Sequence, residues 1–538
     1  MVAIVRTNST SRRRKHAIVR TIAGLGLLAL AAACTGSQPS VDNAHTLTVL
    51  AGSELKDLVP LLPDIQKNTG YQLLLKYTGS LDGAQAIVDG DKSDLAWFSS
   101  GNYLTLLEGS SGRIIAQQPI MLSPVAIGVK RSVAQMLGWA GGATVTWADI
   151  ANAARAGSFH FAMTNPAASN SGFVALVGVA SAFAGTGNAL DSGTINVARL
   201  KDFFSGQVLT AGSSGFLADS FVRQQDRVDG LINYESVLLS LNAGGKLHEQ
   251  LDIVYPRDGI ITANYPLMLL NSAKRDAYDK VVAYLRSADV QQRIMTTTAR
   301  RPTNGEVKLD SRFTTQLLVE LPFPSSINVI DTLLFAYLDQ IRPPAHTYFV
   351  IDISGSMDGD RLNSVKKTFD NLTGADQTIT GRFARLRARE EITIIPFNGR
   401  IVDDRTFTIN DVSSNSPDLA AVRHYVDGLQ ANDGTAIYDS LIRAYQDAAR
   451  AKSQEPDRFY SVVLMTDGEN NTGNDGPGFQ RFYDSQTANA KAIPTFPIIF
   501  GEASPQQLTD IANLTGGQVF DSRNVSLSSV FKVIRGYQ

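Results

Sequence analysis

Cysteine and histidine are scarce in this chain. Its 538 residues include one cysteine, Cys34, and six histidines. A single cysteine excludes an internal disulfide, so stability must come from core packing. No HExxH or GxSxG signature is present and no cysteine follows Cys34, so the sequence disfavours an enzyme.

Neither sign of charge is in excess. The chain has 49 Lys and Arg against 51 Asp and Glu, a formal net charge of -2. Nucleic acid is therefore disfavoured as the main partner, because phosphate binding needs a basic face. A length of 538 residues exceeds what one core usually holds and predicts about three packed units.

Long hydrophobic runs are also rare. Residues 22–33 are apolar, but twelve helical residues rise only ~18 Å against the ~30 Å of a hydrocarbon core. The uncharged run 171–190 is broken by Gly, Ser, Thr and Asn. We interpret the first as part of a signal peptide and the second as a buried helix.

The N-terminal stretch carries six basic residues and no acidic one before Cys34. With Ala31, Ala32 and Ala33 preceding Cys34, it resembles a bacterial lipobox. The resemblance implies a signal peptide over 1–33, a lipid on Cys34, a polar tether over 34–44, and export to the outer face of the bacterial cell membrane. A plain cleaved signal followed by an incidental cysteine is the alternative.

Residues 45–303 alternate short strand-like runs with helix-length stretches, which predicts βαβ units. A long strand over 119–129 is expected to carry the chain to a second lobe. The region resembles the extracellular solute-binding proteins of the second topological class, which implies two lobes closing around a ligand. Hydroxyl side chains and helix N-termini suit a small oxyanion or a sugar as that ligand. Candidate ligand donors follow predicted strands or begin predicted helices: Ser53, Ser80, Ser99, Ser169 and Ser171. Helix capping is an equally good explanation of these serines.

Residues 304–344 form a predicted connector. Val329, Ile330, Leu333 and Leu334 have helical spacing, and the helix is expected to stop before Pro343 and Pro344. A last domain is therefore placed at 345–538.

Oxygen-bearing side chains follow predicted strands in this last domain. Asp352, Ser354 and Ser356 alternate after an apolar run, Thr435 precedes a predicted helix, and Asp467 follows another apolar run. Carboxylates and hydroxyls completed by water suit Mg²⁺, with Mn²⁺ or Ca²⁺ as alternatives. Each motif alone is also typical of a helix cap or a β-turn.

The segments DISGSM, DGT and LMTDG, in this order, resemble the metal-ion-dependent adhesion site of a von Willebrand factor type A domain. The resemblance implies a doubly wound, Rossmann-like α/β fold. It also implies that Ser354, Ser356 and Thr435 bind the metal directly, whereas Asp352 and Asp467 often act through water. An acidic side chain of a partner protein would take a remaining coordination position.

Two functions follow as hypotheses. The first is a surface-anchored lipoprotein that binds a protein partner through this adhesion site, with the solute-binding-like region as sensor or stalk. The second is a receptor that passes a small oxyanion or sugar to a transport system, with the last domain as an accessory.

Overall fold

The computed structural model describes residues 44–413, 415–432 and 434–537. The predicted signal peptide, Cys34 and all but the last residue of the predicted tether lie outside the described residues. From Leu47 onward the chain packs as one compact unit. Within the described ranges, no helix is both long enough and apolar enough to cross a membrane.

Strands and helices alternate in the first part of the chain. The strands are β1 (Thr46–Gly52), β2 (Gln72–Thr78), β3 (Leu95–Trp97), β4 (Ala116–Pro119), β5 (Met121–Lys130), β6 (Phe161–Thr164), β7 (Gln207–Ala211), β8 (Gly230–Tyr234), β9 (Leu251–Val254), β10 (Thr262–Ala263), β11 (Pro266–Leu269) and β12 (Arg301–Pro302). The helices are α1 (Leu62–Thr69), α2 (Ser80–Val88), α3 (Asn102–Leu106), α4 (Arg131–Met136), α5 (Trp147–Arg155), α6 (Asn170–Ala184), α7 (Val197–Phe204), α8 (Ser214–Gln224), α9 (Glu235–Ala243), α10 (Arg275–Leu285) and α11 (Ala288–Thr298). A 3₁₀ helix, Ser53–Leu61, directly follows β1.

These strands form two sheets, one in each lobe. The first has the order β2-β1-β3-β11-β4, and the second has the order β10-β5-β8-β6-β7, with β9 and β12 paired to β5. The chain crosses between the sheets after β4 and returns after β10. The predicted single strand over 119–129 is therefore wrong in one respect: it is divided at Ile120, because β4 pairs with β11 while β5 pairs in the second sheet.

Helix α6 accounts for most of the uncharged run 171–190. All residues from 170 to 181 are buried, so the helix is covered around its whole circumference. It packs on β5, β6 and β8. The run is thus a core helix, as the sequence predicts.

Helix α12 (Ile327–Ala336) forms the regular part of the connector, and its predicted stripe is buried. A π-helical turn, Tyr337–Ile341, continues it and ends just before the two prolines. The Tyr337 ring lies 5.0 Å from the ring of Phe204 in α7. The connector is therefore packed onto the second lobe.

The last part of the chain is a second α/β region. Its strands are β13 (Ala345–Asp352), β14 (Glu391–Phe397), β15 (Arg405–Thr408), β16 (Phe459–Thr466), β17 (Thr495–Ile499) and β18 (Phe520–Asp521). Its helices are α13 (Asp360–Asp370), α14 (Ile379–Ala384), α15 (Pro417–Asp427), α16 (Ile437–Gln454), α17 (Gly476–Asp484), α18 (Ala488–Lys491), α19 (Pro505–Thr515) and α20 (Leu527–Arg535).

The sheet of this region has the order β15-β14-β13-β16-β17-β18, and every pair except β14 with β15 is parallel. Phe349 and Ile351 pack into one apolar cluster, whereas Tyr348 and Val350 pack into another. Because side chains alternate across a strand, β13 is buried on both faces. The predicted α/β class and the doubly wound arrangement are confirmed.

The end of the chain packs against the second lobe. Asn165 Nδ2 donates a 3.5 Å hydrogen bond to the carbonyl of Arg535, and the Tyr537 ring lies 4.9 Å from the ring of Phe216. A Cβ on Gly212 would lie 2.6 Å from the Tyr537 ring, so only glycine leaves room for this approach. Lys532 of α20 lines a cavity together with Tyr77 of the first lobe and Asn165 of the second, so α20 stands beside the cleft between the two lobes.

Candidate functional site

Asp352 is the last residue of the central strand β13 and is fully buried. Its Oδ1 accepts a 2.7 Å hydrogen bond from the backbone N–H of Ser354, and its Oδ2 accepts a 2.6 Å bond from Thr466 Oγ1. Burial raises the pKa of Asp352, an effect that these hydrogen bonds oppose and the nearby charge of Asp467 increases. A positive charge at this position would stabilise the ionised carboxylate.

Asp467 follows β16, the parallel neighbour of β13, and its side chain is also fully buried. Its Oδ1 accepts a 2.7 Å hydrogen bond from Ser356 Oγ. Ser356 Oγ in turn lies 3.2 Å from Ser354 Oγ. Two adjacent strand ends thus join Asp352, Ser354, Ser356 and Asp467 in one hydrogen-bonded chain.

Thr435 comes from a third loop, just before α16. Its backbone N–H donates a 2.8 Å hydrogen bond to Asn471 Oδ1, which fixes it against the loop that follows β16. The Thr435 hydroxyl lies 3.8 Å from the position that a Cβ would take on Gly468. The structure therefore brings all five predicted side chains to the same edge of the sheet.

The donors at this edge are three hydroxyls and two carboxylates. Hard cations such as Mg²⁺ and Ca²⁺ prefer oxygen ligands of this kind, so the residues fit such an ion. No group of three or more His, Cys, Asp or Glu suited to a metal occurs among the residues described. A metal here would therefore depend on the serine and threonine hydroxyls.

The sequence did not reveal every contributor to this edge. Arg361, in the first turn of α13, forms an ion pair with Asp467 through Nη1 and Oδ2. Thr466 and Asn471 hold the ligand candidates in place. A basic residue in the first turn of a helix interacts unfavourably with the helix dipole. This unfavourable position was the local signal in the sequence that Arg361 has a partner elsewhere.

The five predicted solute donors do not form one cluster. Ser171 Oγ lies 2.8 Å from the hydroxyls of Thr164 and Ser214 and 3.4 Å from that of Ser169, in a buried network that serves the second lobe. Ser80 is buried as the first residue of α2. Among the five, side-chain hydrogen bonds join only Ser169 and Ser171 within the described ranges.

Ser53 remains as a candidate solute contact, whereas Ser99 lines neither of the two cavities that Ser53 lines. Ser99 is fully buried, and its hydroxyl has no hydrogen-bond partner among the described residues. Ser53 lines two cavities in the interlobe cleft, of about 380 Å³ and about 230 Å³. The smaller one is closed on its far side by Lys532 and Tyr537 of the last region.

Charged residues that the sequence did not single out line the larger cavity. Arg300 is buried, pairs with Asp57 at 2.5 Å and lies 4.7 Å above the Tyr265 ring. Glu54 Oε1 is buried without a hydrogen-bond partner among the described residues. Burial raises the pKa of Glu54, and the charge of Arg300 opposes this rise.

The fold and these sites define the class: a two-lobed solute-binding architecture followed by a doubly wound α/β domain. Residues 47–297 match the family model of the bacterial extracellular solute-binding protein. Residues 347–533 match that of the von Willebrand factor type A domain. The chain is thus a bacterial solute-binding domain followed by a von Willebrand factor type A domain.

Curated relatives match only a part of the chain. The uncharacterized protein sll0103 of Synechocystis sp. is 33% identical over 132 residues, 24% of this chain and 27% of that protein. Inter-alpha-trypsin inhibitor heavy chain H2 of Homo sapiens is 30% identical over 139 residues, 25% of this chain and 13% of that protein. Among solved structures, the periplasmic binding protein P5PA is 17% identical with a TM-score of 0.43, covering 55% of this chain and 99% of that one.

Proposed function

We propose that the von Willebrand factor type A domain binds a protein partner through a divalent cation, Mg²⁺ first and Mn²⁺ or Ca²⁺ as substitutes. The observation that carries this proposal is the convergence of two buried carboxylates and three hydroxyls from separate loops. Ser354, Ser356 and Thr435 would bind the cation directly, and Asp352 and Asp467 directly or through water.

The chemistry of the partner follows from the charges at the site. A bound cation supplies positive charge that attracts an acidic side chain of the partner. The chain's own residues keep the site in shape: Thr466 and the Ser354 amide orient Asp352, and Asn471 positions Thr435. Such preorganisation lowers the cost of binding.

Calorimetric titration of Mg²⁺ into the full chain tests the metal site. Ser356→Ala removes one donor with little change in volume, and we expect its Mg²⁺ affinity to fall about tenfold or more. The matched control is Ser364→Ala, since Ser364 is half-buried on α13 and its hydroxyl donates a 2.7 Å hydrogen bond to the Asp360 carbonyl. Equal Mg²⁺ affinity of Ser356→Ala and wild type would reject the site.

Surfaces coated with glutamate-containing or glutamine-containing peptides test the recognition chemistry. The full chain should be retained on the glutamate surface in Mg²⁺ and released by a chelator, but pass the glutamine surface. Retention on the glutamate surface that persists after the chelator is added would argue against a metal-mediated contact.

A second function is favoured by the larger interlobe cavity. We propose that it holds a small polar solute, either for sensing or for delivery to a transport system. Its wall carries three basic groups, of Lys56, Lys246 and Arg300, and three carboxylates, of Glu54, Asp57 and Asp219, so it suits a small polar ligand, either an oxyanion or a sugar. Calorimetry of the full chain with glucose, phosphate and sulfate should give heat with at least one of them, and Ser53→Ala, which removes a hydroxyl from the cavity wall, should weaken that binding. No heat with any of the three would reject this function.

Anchoring by a lipid on Cys34 completes the proposal. The exported chain would then be held on the outer face of the membrane, where both binding regions meet the surroundings. In a bacterial host, labelled palmitate should enter the wild type and not Cys34→Ala, and the variant should appear in the medium. Equal labelling of both proteins would contradict the anchor.

A further inference from the structure

Asp467 has a second partner besides Ser356. Its Oδ1 accepts the bond from Ser356 Oγ, while its Oδ2 is paired with Nη1 of Arg361. The Asp467 side chain is fully buried, whereas 32% of the Arg361 side chain is exposed. Arg361 thus reaches from the surface into the edge where the five oxygen-bearing side chains meet.

The position of Arg361 is fixed by its surroundings. Nη1 also donates a 3.4 Å hydrogen bond to the Ser356 carbonyl. Gly501 has φ +55°, and a Cβ there would lie 2.8 Å from Cζ of Arg361. Glycine at position 501 adopts this φ without strain and leaves room for the guanidinium, so Arg361 packs against this turn as well as pairing with Asp467.

The charges explain what such a contact does. Asp352 and Asp467 place two negative charges in a buried position, and Arg361 already compensates one of them. A divalent cation bound by Asp467 would meet the guanidinium as a neighbouring like charge, and like charges repel strongly where water is excluded. Cation binding and the Arg361 contact therefore oppose each other.

We propose that Arg361 is a built-in counter-ion of Asp467 that competes with the divalent cation and so weakens cation affinity. The inference rests on the proposed metal site. It assigns Arg361 a positioning role: the residue keeps Asp467 paired when the cation is absent and leaves Oδ2 when the cation binds. The domain then holds its shape in both states and releases the cation readily.

Mg²⁺ titration of the full chain by calorimetry tests this proposal. Arg361→Gln removes the charge, and we expect Mg²⁺ to bind about tenfold more tightly, equivalent to ~1.4 kcal/mol. Arg361→Lys keeps the charge and should bind Mg²⁺ nearly as wild type does. Arg275→Gln is the matched control, because Arg275 forms an exposed ion pair with Asp279 on α10, outside the candidate metal site. This substitution should leave Mg²⁺ affinity unchanged.

The outcomes separate this inference from the metal site itself. If wild type binds Mg²⁺ and Arg361→Gln binds it equally or more weakly, the competition is rejected and the metal site stands. If neither wild type nor any Arg361 variant binds Mg²⁺, both are rejected. Should Arg361→Gln not fold, Arg361→Met keeps the side-chain length without charge and takes its place in the same comparison.

Discussion

Thr466 Oγ1 donates a 2.6 Å hydrogen bond to Asp352 Oδ2 and so joins the ends of β13 and β16. Both residues are buried. Thr466→Val preserves the shape but leaves this carboxylate oxygen without its donor, and we expect the free energy of unfolding to fall by about 1–3 kcal/mol. Urea denaturation measures the loss. Thr509→Val, on the exposed face of α19, should change little; equal loss in both variants would contradict the prediction.

Glu390 is buried between two arginines, with both carboxylate oxygens 2.8 Å from Arg535 Nη2 and a further ion pair to Arg342. Glu390→Gln leaves two buried guanidinium groups facing a neutral amide. We expect the free energy of unfolding to fall by about 3–5 kcal/mol. The control is Glu455→Gln, whose ion pair with Arg458 is half exposed on the Glu455 side.

The same carboxyl predicts a pH dependence. Burial acts to raise the pKa of Glu390, but the charges of Arg535 and Arg342 outweigh burial and hold it below 4.5. The folded state therefore binds this proton less readily than the unfolded state. Its stabilisation is complete above pH 4.5 and is lost as the pH falls further. Urea denaturation at pH 7 and pH 4 should show a smaller difference for Glu390→Gln than for wild type.

His346 predicts a second pH effect at a higher range. Burial lowers the pKa of His346 from 6.5 to about 4, and the charge of Arg458 adds to this. The Glu391 carboxylate lies 3.2 Å from Nδ1, but Arg458 already pairs with it. Because the unfolded chain takes up the proton more readily, stability falls between pH 6.5 and pH 4 by roughly 3 kcal/mol.

Substitution of His346 checks that assignment. His346→Phe keeps a flat ring against Tyr348, whose ring lies 4.5 Å away, and removes the titrating group. The loss of stability from pH 7 to pH 5 should shrink in this variant. His248→Phe is the control, since its side chain is 67% exposed, and it should keep the wild-type dependence. If the free energy of unfolding of His346→Phe depended on pH as steeply as that of wild type, the prediction would be wrong.

Tyr537 ties the last domain to the second lobe. Its buried ring lies 4.9 Å from Phe216 and 5.3 Å from Phe496. Tyr537→Ala should lower the free energy of unfolding by about 3–5 kcal/mol. Hydrogen exchange should rise around Gly212 and Phe216, where the contact is lost. Tyr77→Ala is the control, since Tyr77 is exposed. Equal exchange rates around Gly212 and Phe216 in the two variants would show that the Tyr537 contact does not stabilise this part of the second lobe.

Much of the fold follows from local patterns. The apolar run that ends at Asp352 forms β13, and the uncharged run after Ser169 forms the buried helix α6. The strand predicted over 119–129 was divided instead. It was divided because β4 pairs with β11 whereas β5 pairs with β8. Both partner strands are distant in sequence, so the local pattern does not show where the division falls.

The candidate metal site was also visible in part. Asp352, Ser354, Ser356, Thr435 and Asp467 could be selected because they bear oxygen and follow or precede predicted elements. Arg361 could not be paired with Asp467 in this way, since 106 positions separate them. In the cleft, Arg300 and Asp57 are 243 positions apart, and neither has a distinctive neighbourhood in the sequence.

By itself the sequence determined most of the strands and helices and the three oxygen-rich loops, because hydrogen-bonding periodicity and the burial of apolar faces act between near neighbours. Only the tertiary structure decided which charges meet: Arg361 with Asp467, and Glu390 with Arg342 and Arg535. It also placed Tyr537 on the second lobe beside the interlobe cleft. The strength of such ion pairs depends on the distance between the charges and on the exclusion of water, and both are set by how the chain packs.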